Sequence, residues 1–154
     1  MKKVWIIFLV FFIIILLLFL AWQNFYQNKE IIYNNSSVCI GGSCFEIQLA
    51  ENSLQQSRGL MFRETLSENK GMFFVFKKEA NYPFWMKNTH IPLDIIWINA
   101  NKEVVFISEF TEPCKTFFCP QINPQVNAKY VLEINAGLSQ KFDFKVGDFV
   151  EIID

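Results

Sequence analysis

The sequence lacks most of the motifs on which enzyme chemistry depends. Among its 154 residues there is one histidine, His90, so no two histidines can share a metal ion. A GxSxG serine elbow, an HExxH zinc motif, a phosphate-cradling glycine loop and a CxxC redox pair are all missing. These absences favour a protein that is not an enzyme, and they predict neither a metal nor another cofactor.

An excess of positive charge is also missing. Lysine and arginine number 14 against 15 aspartates and glutamates, which gives a net charge of -1. Domains that bind nucleic acid usually carry a basic patch, so no nucleic-acid partner is predicted. Internal repeats and low-complexity tails are not visible, and the length suits one domain with a little to spare.

Charge is entirely missing from residues 4–22, which read VWIIFLVFFIIILLLFLAW. As a helix this run would span about 28 Å, close to the hydrocarbon thickness of a bilayer. A cleavable signal peptide is the alternative, because Lys2 and Lys3 form a basic start. The run is longer than the usual apolar core of about 7–15 residues, and no A-x-A-like pair of small residues follows it. The sequence therefore favours an uncleaved signal anchor, a transmembrane helix over residues 1–22.

The flanking charges predict the orientation of this anchor. Lys2 and Lys3 precede it, whereas residues 23–35 contain only one lysine. The positive-inside rule then keeps the N-terminus in the cytoplasm. We expect a single-pass protein of the cell membrane, with residues 23–35 as a polar tether and residues 36–154 as a β-rich domain outside the cytoplasm.

The four cysteines form two identical spacings, Cys39-x4-Cys44 and Cys114-x4-Cys119. Outside the cytoplasm disulfides persist, which favours two disulfides over a four-thiolate zinc site. The Gly-Gly dipeptide inside the first pair suits a two-residue hairpin, which places Cys39 opposite Cys44 with Cα atoms about 4.5 Å apart. The loop between two prolines suits a bridge from Cys114 to Cys119. Four cysteines allow three pairings, and the other two stay open.

The rest of the chain is typical of a mainly β domain. One helix is predicted in NSLQQSRGLMFRETL, where Ser53 and Gln56 have the spacing of a capping box, and a short helical turn is predicted at residues 136–141. A hairpin with strands near 37–40 and 43–50 opens the domain. The runs that follow are GMFFVF, YPFWMK, LDIIWI, EVVFISEF, YVLEI and DFVEII. They predict an α+β class protein, a small antiparallel β-barrel or sandwich with one helix, preceded by one transmembrane helix.

The stretch FWMKNTHIPLDIIW, residues 84–97, is the most unusual in composition. Its alternation predicts a strand that ends at Lys87 and presents Trp85 and Lys87 on one face. A turn follows, and Pro92 fits the connection because it lacks a backbone donor. Asp94 then opens a second strand.

Together with RGLMFR at 58–63, GMFFVF at 71–76, PCKTFFCP at 113–120 and YVLEINAG at 130–137, this stretch resembles the family called domain of unknown function 192. The resemblance covers residues 43–153. His90 and Trp97 depart from the family pattern, in which an aliphatic residue and phenylalanine are more usual. The resemblance implies a compact, mostly β, barrel-like domain, and it implies no activity because the function of the family is not assigned.

A ligand site needs a few convergent polar groups on an apolar floor. The candidates are Arg58, Arg63, Trp85, Lys87, Asn88, Thr89, Asp94 and Glu133. An arginine can clamp a carboxylate or phosphate, and a tryptophan ring can stack on a sugar. We therefore expect a binding module for an envelope glycan, another small ligand or a partner protein.

Two alternatives stay open for the same residues. In the first they are purely structural, with arginines pairing with Asp94 or Glu133 and with turn residues satisfying backbone groups. In the second, Asp94 and Glu133 act as paired carboxylates in a hydrolase, which requires the two to face each other. His90 is expected to be a surface or turn residue in every case.

Overall fold

The computed structural model describes Trp5 and residues 11–20, 35–116 and 118–153, and the chain divides into two units, Met1–Ile32 and Tyr33–Asp154. Residues 11–20 are helical. The remainder of the predicted anchor over 1–22, and the predicted tether up to residue 34, lie outside the described residues. Among the helices of the described residues, none combines the length and the apolar character that crossing a membrane requires.

The second unit is mainly β, as predicted. Its strands are β1 (Asn35–Ile40), β2 (Ser43–Ala50), β3 (Lys70–Ala80), β4 (Phe84–Trp85), β5 (Leu93–Ile98), β6 (Val104–Thr111), β7 (Gln121–Ile122), β8 (Ala128–Asn135) and β9 (Val150–Ile153), and its helices are α1 (Ser53–Arg58) and α2 (Leu138–Lys141). Seven strands form one sheet in the order β6-β5-β8-β3-β2-β1-β9, and β4 pairs with β7.

One strand pair departs from the predicted antiparallel sheet. β2 and β3 run parallel, and the pairs β1–β2, β3–β8 and β5–β8 are antiparallel. The connection between β2 and β3 explains the difference: residues 51–69 carry α1 and return the chain to the start of β3. Parallel strands need such a crossover, whereas antiparallel strands need only a tight turn.

The large sheet curls into a half-barrel. The N–H of Val150 donates to the carbonyl oxygen of Lys102 at 2.8 Å, and the N–H of Val104 donates to that of Asp148 at 2.9 Å. Because β6 and β9 are at opposite ends of the strand order, these bonds join the two edges of the sheet near the β5–β6 turn.

The central strands are buried on both faces of the sheet. Inside the curl lies an inner core that includes Phe45, Phe73, Ile96, Leu132 and Val150. On the outer face lies a second core that includes Leu60, Met72, Met86, Trp97 and Val131. All six residues of β5 are consequently buried, which is why its sequence reads as a continuous apolar run broken only by Asp94.

The predicted disulfides are confirmed. Cys39 is bonded to Cys44 across the β1–β2 hairpin with Cα atoms 4.0 Å apart, and Cys114 is bonded to Cys119. Gly41 has a φ of 56° and Gly42 one of 84°, the pair of positive values that the two-residue turn requires. With every cysteine bonded, the four-thiolate zinc site is excluded.

The helix α1 is capped one residue earlier than predicted. Asn52, not Ser53, is the N-cap, and its Oδ1 accepts the N–H of Gln55 at 3.0 Å while the Oε1 of Gln55 accepts the N–H of Asn52 at 3.2 Å. Both Asn-x-x-Gln and Ser-x-x-Gln fit at this point, so the sequence does not distinguish them. The structure instead uses Gln56 to reach the carbonyl oxygen of Val75, at 2.9 Å. The helical turn α2 lies where it was predicted.

Candidate functional site

The strand predicted to end at Lys87 ends at Trp85, but its side chains alternate as expected. Met86 is buried, with 3% of its surface exposed, while Trp85 is 43% exposed and Lys87 is also exposed. The Nζ of Lys87 lies 5.2 Å from the centre of the Trp85 ring. An aromatic ring and a positive charge therefore lie side by side at the surface.

The turn after this strand is hydrogen-bonded to the segment that follows α1. Asn88 has a φ of 55°, and its carbonyl oxygen accepts the N–H of Phe62 at 2.7 Å. The side chain of Thr89 is buried. His90 is at the surface, where its Nδ1 lies 2.6 Å from Oε1 of Glu64. Asn88 thus holds the corner against the segment after α1, and neither Asn88 nor Thr89 lines either of the two clefts on the outer face.

Asp94 serves the fold. It is completely buried, and its Oδ1 accepts the N–H groups of Phe110 at 2.9 Å and Gly137 at 3.1 Å, while its Oδ2 accepts that of Ser139 at 2.8 Å. Three charge-assisted bonds to backbone donors account for both carboxylate oxygens. The carboxylate therefore fastens the end of β6 and the start of α2 to β5.

The structure does not bring Asp94 and Glu133 together. In the antiparallel pair of β5 and β8, Asp94 is opposite Ile134, and Glu133 is opposite Ile95. Opposed residues project to the same face of a sheet, and successive residues project to opposite faces. Asp94 consequently points to the inner face and Glu133 to the outer face, so the two carboxylates cannot act as the pair that a hydrolase requires.

Glu133 is the one strongly perturbed acid among the described residues. It is 5% exposed, and its Oε2 has no hydrogen-bond partner among the described residues. Burial raises the pKa of this carboxyl from 4.5 to about 8, against the opposing influence of the positive Arg63. At neutral pH Glu133 is therefore mostly a neutral acid beneath the outer surface.

Two glycines allow the backbone to approach Glu133 closely. Gly59, just after α1, has a φ of 47°, and a Cβ there would lie 3.8 Å from Oε2 of Glu133 and 3.4 Å from the ring of Phe74. A Cβ on Gly71 would lie only 2.6 Å from the carbonyl oxygen of Glu133. The segment after α1 therefore forms a roof over this acid, and glycine is required where β3 passes it.

On one side of this roof lies a cleft of about 250 Å³, which we call the aromatic cleft. Its lining consists of Ser53, Gln56, Ser57, Phe74, Phe76, Tyr82, Pro83, Phe84 and Trp85. Of this set, only Trp85 was predicted from the sequence. The one sequence feature that could have indicated this cleft was the spacing of Ser53 and Ser57, which places two hydroxyls four residues apart on one face of α1.

On the other side lies a larger cleft of about 500 Å³, which we call the Arg63 cleft. Its lining consists of Ser36, Ser37, Glu46, Ile47, Gln48, Arg63, Leu66, Lys70, Gly71 and Ile153. Arg63 donates a hydrogen bond to Oε1 of Gln48. Arg58 is engaged elsewhere, with its guanidinium 4.7 Å from the centre of the Phe62 ring.

The residues predicted to form one site therefore do not come together: some line one of the two clefts, and others make structural contacts. Trp85 belongs to the aromatic cleft and Arg63 to the Arg63 cleft, whereas Asp94 and Asn88 make structural contacts. In the part of the chain that is described, no three His, Cys, Asp or Glu side chains are grouped to hold a metal ion.

The described residues of the second unit thus form a small, mainly β half-barrel with two clefts on its outer face. The chain belongs to the DUF192 family, described as "Uncharacterized ACR", whose model matches residues 36–152. The resemblance inferred from the sequence motifs is thereby confirmed.

Individual relatives agree with this assignment. The UPF0127 protein PF1050 of Pyrococcus furiosus is 28% identical over 111 residues, which are 69% of this chain and 85% of that protein. A Sinorhizobium meliloti 1021 structure, named as a candidate transcription regulator, has 29% identity and a TM-score of 0.73, covering 80% of this chain and 97% of its own. A structure of unknown function from Novosphingobium aromaticivorans DSM 12444 has 31% identity and a TM-score of 0.71, covering 82% and 96%.

Proposed function

We propose that this protein is a membrane-anchored, extracytoplasmic binding domain that holds one sugar ring of an envelope glycan in the aromatic cleft. The observation that carries the proposal is the exposed ring of Trp85 beside the hydroxyls of Ser53 and Ser57, over a floor of phenylalanine rings. Aromatic rings stack on the apolar face of a sugar, while hydroxyl groups bond to its edge.

The size of the cleft supports a ring-sized unit rather than a whole ligand. Its volume of about 250 Å³ is just below the range of roughly 300–1,000 Å³ that is usual for small-molecule pockets. A surface cleft of this size fits one unit of an extended chain whose neighbours remain in solvent. Lys87 adds a positive charge beside Trp85, so we expect an acidic glycan to bind more tightly than a neutral one.

The location is proposed from the sequence and the disulfides. The charge-free run at 4–22, preceded by two lysines, supports a single-pass anchor with a cytoplasmic N-terminus. The Cys39–Cys44 and Cys114–Cys119 bonds are of the kind that persists in an oxidising compartment. Both features support a domain that faces the cell envelope.

Titrating the full-length protein in detergent micelles with envelope oligosaccharides, by calorimetry, tests the proposal. Trp85→Ala should weaken binding at least about tenfold, since stacking one aromatic ring contributes roughly 1–2 kcal/mol. The matched control is Phe149→Ala, which removes another exposed ring outside the cleft and should leave the affinity unchanged. Failure of the wild-type protein to bind any of the glycans, or equal binding by Trp85→Ala, would refute the proposal.

A second candidate function is that of a structural or protein-interaction domain, and the contacts of Asp94 favour it. All of its hydrogen bonds go to the protein's own backbone, so this acid of the most distinctive motif supports the fold. This alternative predicts that Trp85→Ala changes no glycan affinity. A partner protein captured equally well by the wild type and by Trp85→Ala would support it over glycan binding.

A further inference from the structure

We propose that the Arg63 cleft is a second binding site, and that it accepts a small organic molecule through an oxyanion, a carboxylate or phosphate group held by Arg63. This site uses residues separate from the aromatic cleft, so it does not depend on glycan binding. Its volume of about 500 Å³ is within the range of roughly 300–1,000 Å³ usual for small-ligand pockets.

The first support is the uncompensated charge of Arg63. Its guanidinium is oriented by the side-chain oxygen of Gln48, which is a neutral acceptor and engages only part of a group with five N–H donors. Among the described residues Arg63 forms no ion pair, although Lys70 at the rim of the same cleft is paired with Glu46 at 3.8 Å. Arg63 therefore presents a positioned positive charge with donors to spare, which is the arrangement that binds carboxylates and phosphates.

The second support is the state of the nearest buried acid. Glu133 lies close enough for the charge of Arg63 to influence the pKa of its carboxyl, and no described group forms a hydrogen bond with its Oε2. Because the carboxyl is mostly protonated at neutral pH, it does not cancel the charge of Arg63. An anion that enters the cleft meets a net positive site.

The remaining lining indicates what kind of molecule carries the oxyanion. Leu66 and Ile153 provide apolar surface in the cleft. Ser37, which is opposite Glu46 on the outer face, adds a hydroxyl group at the edge. The combination favours an organic acid or phosphate ester with a short apolar body over a bare inorganic ion.

The test is calorimetry on the full-length protein in detergent micelles at pH 6.5, with hexanoate, inorganic phosphate and uncharged methyl hexanoate as probes. Hexanoate should bind and methyl hexanoate should not. Arg63→Gln should weaken hexanoate binding at least tenfold. Arg63→Lys should weaken it less, because lysine keeps the positive charge but lacks the planar guanidinium that binds a carboxylate through two N–H groups. Lys115→Gln, which removes an exposed charge outside the cleft, should bind as the wild type does.

A pH series adds a readout that a nonspecific charge effect would not give. The residues opposite Glu133 on the neighbouring strands are Met72 and Ile95, and neither titrates, so Arg63 is the charged group identified as acting on it. Between pH 6.5 and 9.5 the wild type should lose hexanoate affinity as the Glu133 anion forms beside Arg63. Glu133→Gln should retain its affinity.

Each outcome decides the matter. Binding of phosphate in place of hexanoate, with the same loss in Arg63→Gln, would support the site and identify its ligand as a phosphate. Absence of binding by both anions, or equal binding by wild type and Arg63→Gln, would overturn it. If Arg63→Gln does not fold, Arg63→Lys and the surface variant Lys70→Gln replace it: wild-type affinity in both would also overturn the proposal. Trp85→Ala should leave hexanoate binding intact, which separates this site from the proposed glycan function.

Discussion

Replacing Glu133 by glutamine should remove a large part of the pH dependence of folding stability. The carboxyl is buried on the outer face of β8, its Oε2 has no hydrogen-bond partner among the described residues, and burial raises its pKa from 4.5 to about 8. Between these pH values the folded protein holds a proton that the unfolded chain releases. The stabilisation is therefore complete below pH 4.5 and is lost as the pH rises towards 8.

The size of the effect follows from the same two values. A difference of about 3.5 pH units, at 1.36 kcal/mol for each unit, corresponds to a loss of about 5 kcal/mol across the interval. Glutamine has nearly the same shape and no ionisable proton. Burying the glutamine amide lowers the free energy of unfolding by an amount that does not change with pH. The stability of the variant should therefore vary much less between pH 4.5 and 8.5.

Urea unfolding of the oxidised protein at pH 4.5, 6, 7 and 8.5 measures this directly. Other acids titrate in both proteins, so the difference between the two curves isolates Glu133. Glu46→Gln is the matched control, since Glu46 belongs to an exposed pair with Lys70 and should leave the wild-type slope almost unchanged. Parallel curves for wild type and Glu133→Gln would show that the acid is not held neutral, and would refute the reasoning.

Three further changes have expected outcomes in denaturant unfolding. Asp94→Ala should cost about 3–5 kcal/mol, because three backbone N–H groups lose a charged acceptor; a loss below about 1 kcal/mol would contradict the assigned bonds. Gly71→Ala should cost about 2–3 kcal/mol, because its Cβ would lie 2.6 Å from a backbone oxygen of Glu133; unchanged stability would show that β3 can move aside. Replacing Cys39 and Cys44 together by serine should cost about 2 kcal/mol, the loop-closure entropy expected for so short a loop, and a midpoint equal to that of the wild type would argue against it.

The features that the sequence predicted well are local ones. The Gly-Gly dipeptide specifies the turn, and the turn specifies which cysteines face each other, all within residues 39–44. The alternation of Trp85 and Met86 likewise predicted which side chain is exposed, although β4 is shorter than expected. In these cases the information lies within one turn or one strand.

The features that the sequence did not predict depend on contacts between distant segments. The three donors to Asp94 are 16, 43 and 45 residues away, so its structural role is invisible until β6 and α2 are in place. Whether Asp94 faces Glu133 depends on the register between β5 and β8, and a shift of one residue would reverse the answer. The clefts depend on where α1 crosses the sheet, which follows from the parallel pairing of β2 and β3.

The pairing of β1 with β9 has a consequence for how the domain is made. Ser37 of β1 is paired with Ile153 of β9. The first strand can therefore pair with its neighbour β9 only when almost the whole described domain has been synthesised. Contacts so far apart in sequence slow folding, because the intervening chain must be ordered before they form. A ribosome-bound chain that stops short of residue 150 should therefore leave the edge of β1 open to other strands, and this interval is when the protein is most exposed to aggregation and most in need of a chaperone.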